Sequence, residues 1–337
     1  MAKIDTNNGM GLVRYILAFA VVMAHFNSIS GAGYYFPISS YHAVGGFFAL
    51  SGFLVYGSYQ RSGNLRYFIK RRAVKILPPY LTVVTACALF LGFTVTPHDW
   101  SSYFSADWFK YLGANLTFLN FLHPTLPGVF DGEPVNGSLW TIKIEWLLYL
   151  SVPVVILAIR KLKVRNEYKF FIALYLISAL YRMGFLWLFD LKGLQIFYIM
   201  SRQVFGQLCY FYTGVMVFRY YDLFKRNIPL FLTIAIVMIG ISQANMWVGI
   251  IFEPFGVSVL TIGVSMLLGG WLKIFNKNNA SYEMYLFHLP IVHLVWQYRD
   301  SLNVTTFGAF MLSVCLVVAA SFMCWFILDK PLLRQRH

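Results

Sequence analysis

Met10-Gly-Leu-Val-Arg-Tyr-Ile-Leu-Ala-Phe-Ala-Val-Val-Met-Ala-His-Phe-Asn-Ser28 is the stretch that decides the fold. It is nineteen residues long, carries no Asp, Glu or Lys, and has Arg14 and His25 as its only basic residues. As a helix, nineteen residues reach about 28 Å, close to the thickness of a bilayer's hydrocarbon core. Ser30-Gly-Ala-Gly33 follows the run and could pass for a cleavage site, but an Arg and a His inside the apolar region fit a signal peptide poorly. The segment is read as a retained membrane-spanning helix.

The rest of the chain repeats this pattern. Of the 337 residues, 59% are hydrophobic, 19% aromatic and 12% charged, against about 25% charged in a soluble domain. The mean hydropathy of +0.64 agrees. Apolar runs of bilayer length recur at about 10–28, 42–58, 77–96, 138–159, 168–189, 197–218, 229–248, 252–271, 280–297 and 304–327. The expected fold class is therefore an all-α integral membrane protein of about ten transmembrane helices, forming a single domain over 1–337.

The net charge of +14 would suggest nucleic acid in a soluble protein. Here alternate connections explain it. Lys3, Arg61 to Lys75, Arg160 to Lys169, Arg219 with Lys225 and Arg226, Lys273 with Lys277, and Lys330 to Arg336 hold 20 of the 27 cations, whereas the opposite connections hold Lys110, Lys192, Arg202 and Arg299. Cytoplasmic loops collect Lys and Arg, so both termini are expected in the cytoplasm, with no nucleic-acid partner. Cys87, Cys209, Cys315 and Cys324 all lie in apolar segments without metal-like spacing, so neither a disulfide nor a metal is expected. The longest outer connection, about 97 to 137, carries Pro97, Pro124, Pro127 and Pro134 and reads as a re-entrant or interfacial cap.

Ionisable side chains within a bilayer cost roughly 2.5–3.5 kcal/mol on insertion scales and are candidates for function. Arg14 and His25 stand eleven residues apart, almost three helical turns, on one face about 16 Å apart. A cation at the cytoplasmic end and a proton acceptor further out suit a long substrate that is anionic at one end and reactive at the other. The plainer reading is a snorkelling Arg and a hydrogen-bonded core His. Lys70, Arg71, Arg72 and Lys75, just before Pro78-Pro79 at an expected helix start, are either topological charge or a phosphate cradle. Glu145 is the one carboxylate clearly within an apolar span. It must be paired or protonated, either as orienter of His25 or as the neutralising partner of Arg182 or Lys143. His288 precedes Pro290 by two residues, where a kink is expected. Gly45-Gly46 and Ser51-Gly52 look like helix-packing positions; no GxSxG elbow surrounds Ser51 to make it a nucleophile.

The order of these features resembles a known family. Arg14-x10-His25, Gly45-Gly-Phe-Phe-Ala-Leu-Ser-Gly-Phe-Leu54, Arg71-Arg72-x-x-Lys75-Ile76-x-Pro78-x-Tyr80, Ser138-Leu-Trp140 with Glu145 and Tyr149-Leu150, Ser281-Tyr-x-x-Tyr-Leu-x-His-x-Pro290 and Asp329-Lys-Pro331 follow one another. Together they resemble the acyltransferase 3 family over essentially the whole chain. The resemblance implies an O-acyltransferase in the bacterial cytoplasmic (inner) membrane, carrying acetyl from acetyl-CoA to a glycan or lipid-linked glycan, with polysaccharide-assembly proteins as partners. It further implies His25 and Glu145 as catalytic residues and Arg14, Arg71, Arg72 and Lys75 as donor-binding residues. Lys75 stands where the family has Arg, and Trp146 where many relatives have a second Glu. His288, Arg182, Ser51 and Trp140 complete the candidates. A donor such as succinyl-CoA, or a transporter for a lipid-linked sugar, are the alternatives.

Overall fold

The computed structural model describes residues 8–95, 100–269, 272 and 274–334. Lys3, Pro97, Lys273 and Arg336, which entered the charge and loop readings, lie outside the described residues, as do residues 96, 270 and 271 of the expected spans. Among the described residues the regular structure is all helix. In order come α1 (Met10–Ser30), α2 (Ser40–Ser62), α3 (Leu65–Val95), α4 (Trp100–Tyr103), α5 (Ala106–Leu116), α6 (Trp140–Lys161), α7 (Glu167–Lys192) and α8 (Gln195–Ser201). They continue as α9 (Val204–Arg219), α10 (Tyr221–Arg226), α11 (Ile228–Ser242), α12 (Met246–Leu267), α13 (Ile274–Lys277), α14 (Ser281–Tyr298), α15 (Thr306–Cys324) and α16 (Lys330–Arg334), with a π-turn at Trp325–Asp329 before the last.

Six stretches among the described residues have both the length and the apolarity to cross a membrane: Met10–Ser30, Leu65–Phe93, Gly137–Lys161, Glu167–Lys192, Met246–Leu267 and Thr306–Leu332. The protein is a multi-pass integral membrane protein. The other four expected spans are also helical but fall short for physical reasons. α9 and α11 have 16 and 15 residues, about 24 Å or less of helix against a core of about 30 Å. α2 and α14 are long enough but rich in Ser, Tyr, Gly and His.

Three boundaries differ from the sequence reading. α3 begins at Leu65 and runs through Pro78-Pro79, which lie inside the helix rather than at its start. Two proline nitrogens leave the carbonyls of Val74 and Lys75 without their helical donors, and the Thr82 hydroxyl donates to Pro78 O (2.9 Å) where the helix continues. The expected sixth span divides at Arg202-Gln203 into α8 and α9. The seventh and eighth separate at Gln243 to Asn245 instead of near residue 250, because the Asn245 side chain caps α12 by accepting from Val248 N (3.0 Å). Asn245→Ala is expected to lower stability by about 1 kcal/mol, read as a fall in the thermal midpoint of the purified protein.

The chain forms two compact units, each assembled from separated segments. The first comprises Met1–Leu17, Tyr41–Ile69 and Ile144–Asn278. There α11 and α12 pair as a hairpin, and α9 packs on both α7 and α12. α2 approaches α9 backbone to backbone, because a Cβ at Gly52 would lie 2.0 Å from Phe211 O and one at Gly214 2.0 Å from Ala49 O. In α12, Pro254 interrupts the ladder, and the Tyr175 hydroxyl enters the gap, donating to Ile251 O (2.5 Å) and accepting from Phe255 N (3.1 Å).

The second unit comprises Ala18–Ser40, Lys70–Lys143 and Asn279–His337. α14 packs on α15, and Tyr282 of α14 donates to Ile76 O of α3 (3.1 Å). The long connection after α3 folds into α4, α5 and two 3-10 turns and is fastened to α3. Tyr103 Oη and Trp108 Nε1 both donate to Ala88 O (2.8 Å each), Tyr103 lies against Gly92, and Tyr80 Oη donates to Asn115 O (2.6 Å).

Candidate active site

The second unit brings two of the sequence candidates together. His25 on α1 and His288 on α14 are in hydrogen-bond contact, Nδ1 of the first 3.1 Å from Nε2 of the second. His288 is fully buried, whereas His25 is half-buried. Their other contacts assign the protons. His25 Nδ1 also lies 2.9 Å from Val21 O, and His288 Nδ1 lies 2.7 Å from Tyr285 O. A carbonyl only accepts, so each Nδ1 carries a hydrogen. In neutral rings His288 Nε2 is then a lone pair that accepts from His25 Nδ1–H, and that hydrogen is shared with Val21 O. The proton of His25 is thus committed, and its Nε2 is left as a bare base.

The surroundings hold this pair in place. Pro290 deprives Leu286 O of its helical donor, and Asn136 Nδ2 supplies the replacement at 2.8 Å. Ser138 Oγ donates to Asn136 Oδ1 (2.6 Å), Thr141 Oγ1 donates to Tyr285 Oη (2.9 Å), and Tyr285 Oη donates to Ser138 O (3.1 Å). The turn just before α6 is therefore tied to the one stretch of α14 that bears His288. His293, one turn further along, stacks on Phe130 with centroids 4.6 Å apart. Asn136→Ala would leave a buried carbonyl without a partner, an expected loss of about 1–3 kcal/mol, measured by thermal unfolding beside Asn136→Asp as a second variant.

Arg71, Arg72 and Lys75 are half-buried on α3 in the same unit. Since α3 is already helical there, the spacings of four and three residues put all three on one face. Lys75 acts electrostatically on Glu283, which is buried beside Asp329. Glu283 is 1% exposed. Trp140 opens α6.

In the first unit, Arg14 is half-buried, and its Nε is buried without a hydrogen-bond partner among the described residues. Glu145 takes two hydroxyl protons on one oxygen: Ser51 Oγ donates to Oε1 at 3.1 Å, and Tyr149, one turn on, makes a short bond to the same atom. Ser51, read from sequence as a packing residue, thus has a polar role. The alternative in which Glu145 neutralises Arg182 or Lys143 is replaced by other partners. Arg182 Nη2 donates to Tyr41 Oη, which is 3.1 Å from Tyr210 Oη, and Tyr210 donates to Glu253 Oε1 (2.8 Å). His42 lies 3.5 Å from the same Glu253 oxygen. Lys143, in the second unit, sits over the Phe121 ring, 4.7 Å from its centroid.

Sequence reasoning missed Asn136, Thr141 and Tyr285 as members of the site. Tyr285 was within reach, three residues before His288 in the same quoted run. Asn136 was not, because nothing in a sequence says which loop supplies the donor a proline removes. Among the described residues, no group of three or more His, Cys, Asp or Glu could hold a metal ion.

Residues 7–327 match the acyltransferase domain of the acyltransferase 3 family. The chain is 23% identical over 350 residues to a protein of Shigella phage Sf6 named O-acetyl transferase, covering 98% of this chain and 97% of that one. It is 26% identical over 161 residues to nodulation protein 10 of Rhizobium leguminosarum bv. viciae, covering 44% of each. No solved structure matches it.

Proposed function

Because the chain belongs to the acyltransferase 3 family and is a membrane acyltransferase, we propose that it moves an acetyl group from acetyl-CoA to a hydroxyl of a cell-surface or exported polysaccharide or its lipid-linked precursor. The observation that carries this reading is the proton arrangement at His25, whose Nδ1 hydrogen is held by Val21 O and His288 while Nε2 remains free to accept. His25 Nε2 takes the proton of the acceptor hydroxyl as that oxygen bonds to the thioester carbonyl carbon. The carbon–sulfur bond breaks, and the imidazolium returns the proton to the departing thiolate. His288 keeps the ring in the tautomer that leaves Nε2 bare. Arg71, Arg72 and Lys75 hold the donor's phosphates, three cations on one face of α3 being suited to that task. The buried guanidinium nitrogen of Arg14, which has no hydrogen-bond partner among the described residues, makes Arg14 a further candidate for donor binding. Glu145 serves as a carboxylate that fixes the hydroxyl protons of Ser51 and Tyr149.

The same reading takes all ten predicted spans as crossings of a bacterial cytoplasmic membrane, with both termini and the basic connections on the donor side. The deciding experiment is mass spectrometry of the surface polysaccharide from cells with and without the protein. Loss of acetyl groups with polysaccharide export intact is the expected result. Unchanged acetylation, or loss of export with acetylation of the remaining glycan intact, would overturn the proposal.

A further inference from the structure

Two apolar cavities that the proposed chemistry does not use lie end to end in the first unit. One, of about 330 Å³, is lined at one end by Tyr168 of α7, Tyr220 after α9, Leu223 of α10 and Phe231 of α11. The other, of about 270 Å³, continues past Ile172 and Tyr175 of α7 and Met238 of α11. Thr213, Met216 and Phe255 line both, so the two form one groove. Thr213, Val217 and Val259 are buried at its floor, whereas Tyr168, Ile172, Leu223 and Ile251 are exposed at its rim.

The chemistry changes along the groove. Away from Tyr168 and Tyr220 its polar side chains are already satisfied. Thr213 Oγ1 donates to Cys209 O (2.6 Å), Tyr212 Oη lies 2.8 Å from Ser151 Oγ, and Tyr175 Oη is bonded to both Ile251 O and Phe255 N. A polar guest would lose its bonds to water there and gain none, so the groove suits hydrocarbon. The Tyr168–Tyr220 end is basic instead. Lys161, Lys163, Arg165 and Lys169 around the start of α7, with Lys225 and Arg226 at the end of α10, are all exposed. The acids beside them are Asp222 and Glu167, and Glu167 is taken by Arg219, whose Nε donates to Oε2 at 2.6 Å. Length selects further among guests. Tyr212 to Tyr220 covers about 12 Å of helix axis, close to one leaflet of a hydrocarbon core about 30 Å thick. A transmembrane helix of a partner would need a face about twice as long; a tail from one leaflet fits.

We propose that this groove binds an anionic phospholipid of the surrounding bilayer, one acyl chain lying along Met216 and Phe255 and the phosphate among the cations beside Tyr168 and Tyr220. The buried tail supplies affinity. The cations supply the choice of headgroup, since each Lys or Arg near an anionic lipid surface adds roughly fivefold to binding. Tyr168 and Tyr220 stand where interfacial aromatic side chains meet headgroups. The site is separate from the donor and acceptor of the acyl transfer proposed above, so neither reading depends on the other.

The test places the full-length protein in phosphatidylcholine nanodiscs with a trace of either phosphatidylglycerol or phosphatidylcholine that carries a photoactivatable diazirine on its acyl chain. Phosphatidylglycerol is expected to label peptides containing Ile172, Met216 or Phe255 at least about fivefold more than phosphatidylcholine does. The exposed side of α15 at Met311 and Leu316 is the reference and should be labelled equally by both. Lys169→Gln with Arg226→Gln should remove the preference and keep the tail labelling. Met216→Trp, which fills the groove, should lower labelling there by both tracers and leave α15 unchanged. Equal labelling of the groove by the two tracers in the wild-type protein would make it ordinary bilayer contact and overturn the proposal without any variant. Labelling confined to other helices would overturn it as well. So would protection of the groove when the protein dimerises, or displacement of phosphatidylglycerol by an equimolar polyprenyl phosphate.

Discussion

His25→Ala is expected to lower turnover of acetyl-CoA by about 10² to 10⁴, the range that a positioned general base supplies. Removing the ring removes the one bare nitrogen of the pair, and no neighbour can replace it. His288 Nε2 loses its donor with the ring, but His288 is fully buried and is not placed at the acceptor hydroxyl. His288→Ala should reduce turnover less, because Val21 O still accepts from His25 Nδ1–H and retains part of the tautomer preference. The two effects should not add. Once His25 is gone, His288 has nothing to orient, so the double variant should match His25→Ala alone. Thiol release from acetyl-CoA by membranes holding equal amounts of each protein measures all four cases. Full activity in His25→Ala, or additive losses, would sink the arrangement.

Gly52→Ala is expected to prevent the first unit from assembling. Its new methyl group would have to share space with Phe211 O at 2.0 Å, and the obstacle is main chain, not a side chain that can swing away. α2 and α9 would have to separate by more than an ångström, which also breaks the matching contact of Gly214 with Ala49 O. Overpacking ordinarily costs about 1–3 kcal/mol, and a rigid backbone contact belongs at the top of that range or above it. Against a net stability of about 5–15 kcal/mol, little folded protein would survive extraction. Gly113→Ala on α5 is the control: no atom lies within 4 Å of the added carbon, and replacing a helical Gly should be neutral or slightly stabilising. Fluorescence-detected size exclusion of the two variants reads the difference as monodisperse yield.

Much of this was legible in the sequence because it depends on local chemistry. The length and apolarity of α1, α7 and α12 announce membrane helices, and a His among apolar residues announces itself as a candidate. The run around His288 also contains the tyrosine that supports it. The helical start of α3 was missed because Pro78-Pro79 looked like a beginning. Proline is tolerated inside a membrane helix when neighbouring groups re-satisfy the backbone, and such compensation is visible only in three dimensions. The turn at Asn245 was hidden by apolar residues on both sides, so that one cap outweighed the hydropathy around it. The pairing of His25 with His288 depends on contacts between distant segments, which composition and period do not encode.

That separation sets a timetable. The two imidazoles are 263 residues apart along the chain, so at about 5–20 residues per second roughly 13–50 s pass between their emergence from the ribosome. Until α14 is made, His25 has Val21 O but no partner ring, and its tautomer is only half fixed. The nascent protein can thread α1 into the bilayer long before it can do chemistry. A premature stop between α1 and Ser281 would leave a chain that holds His25 without its partner ring.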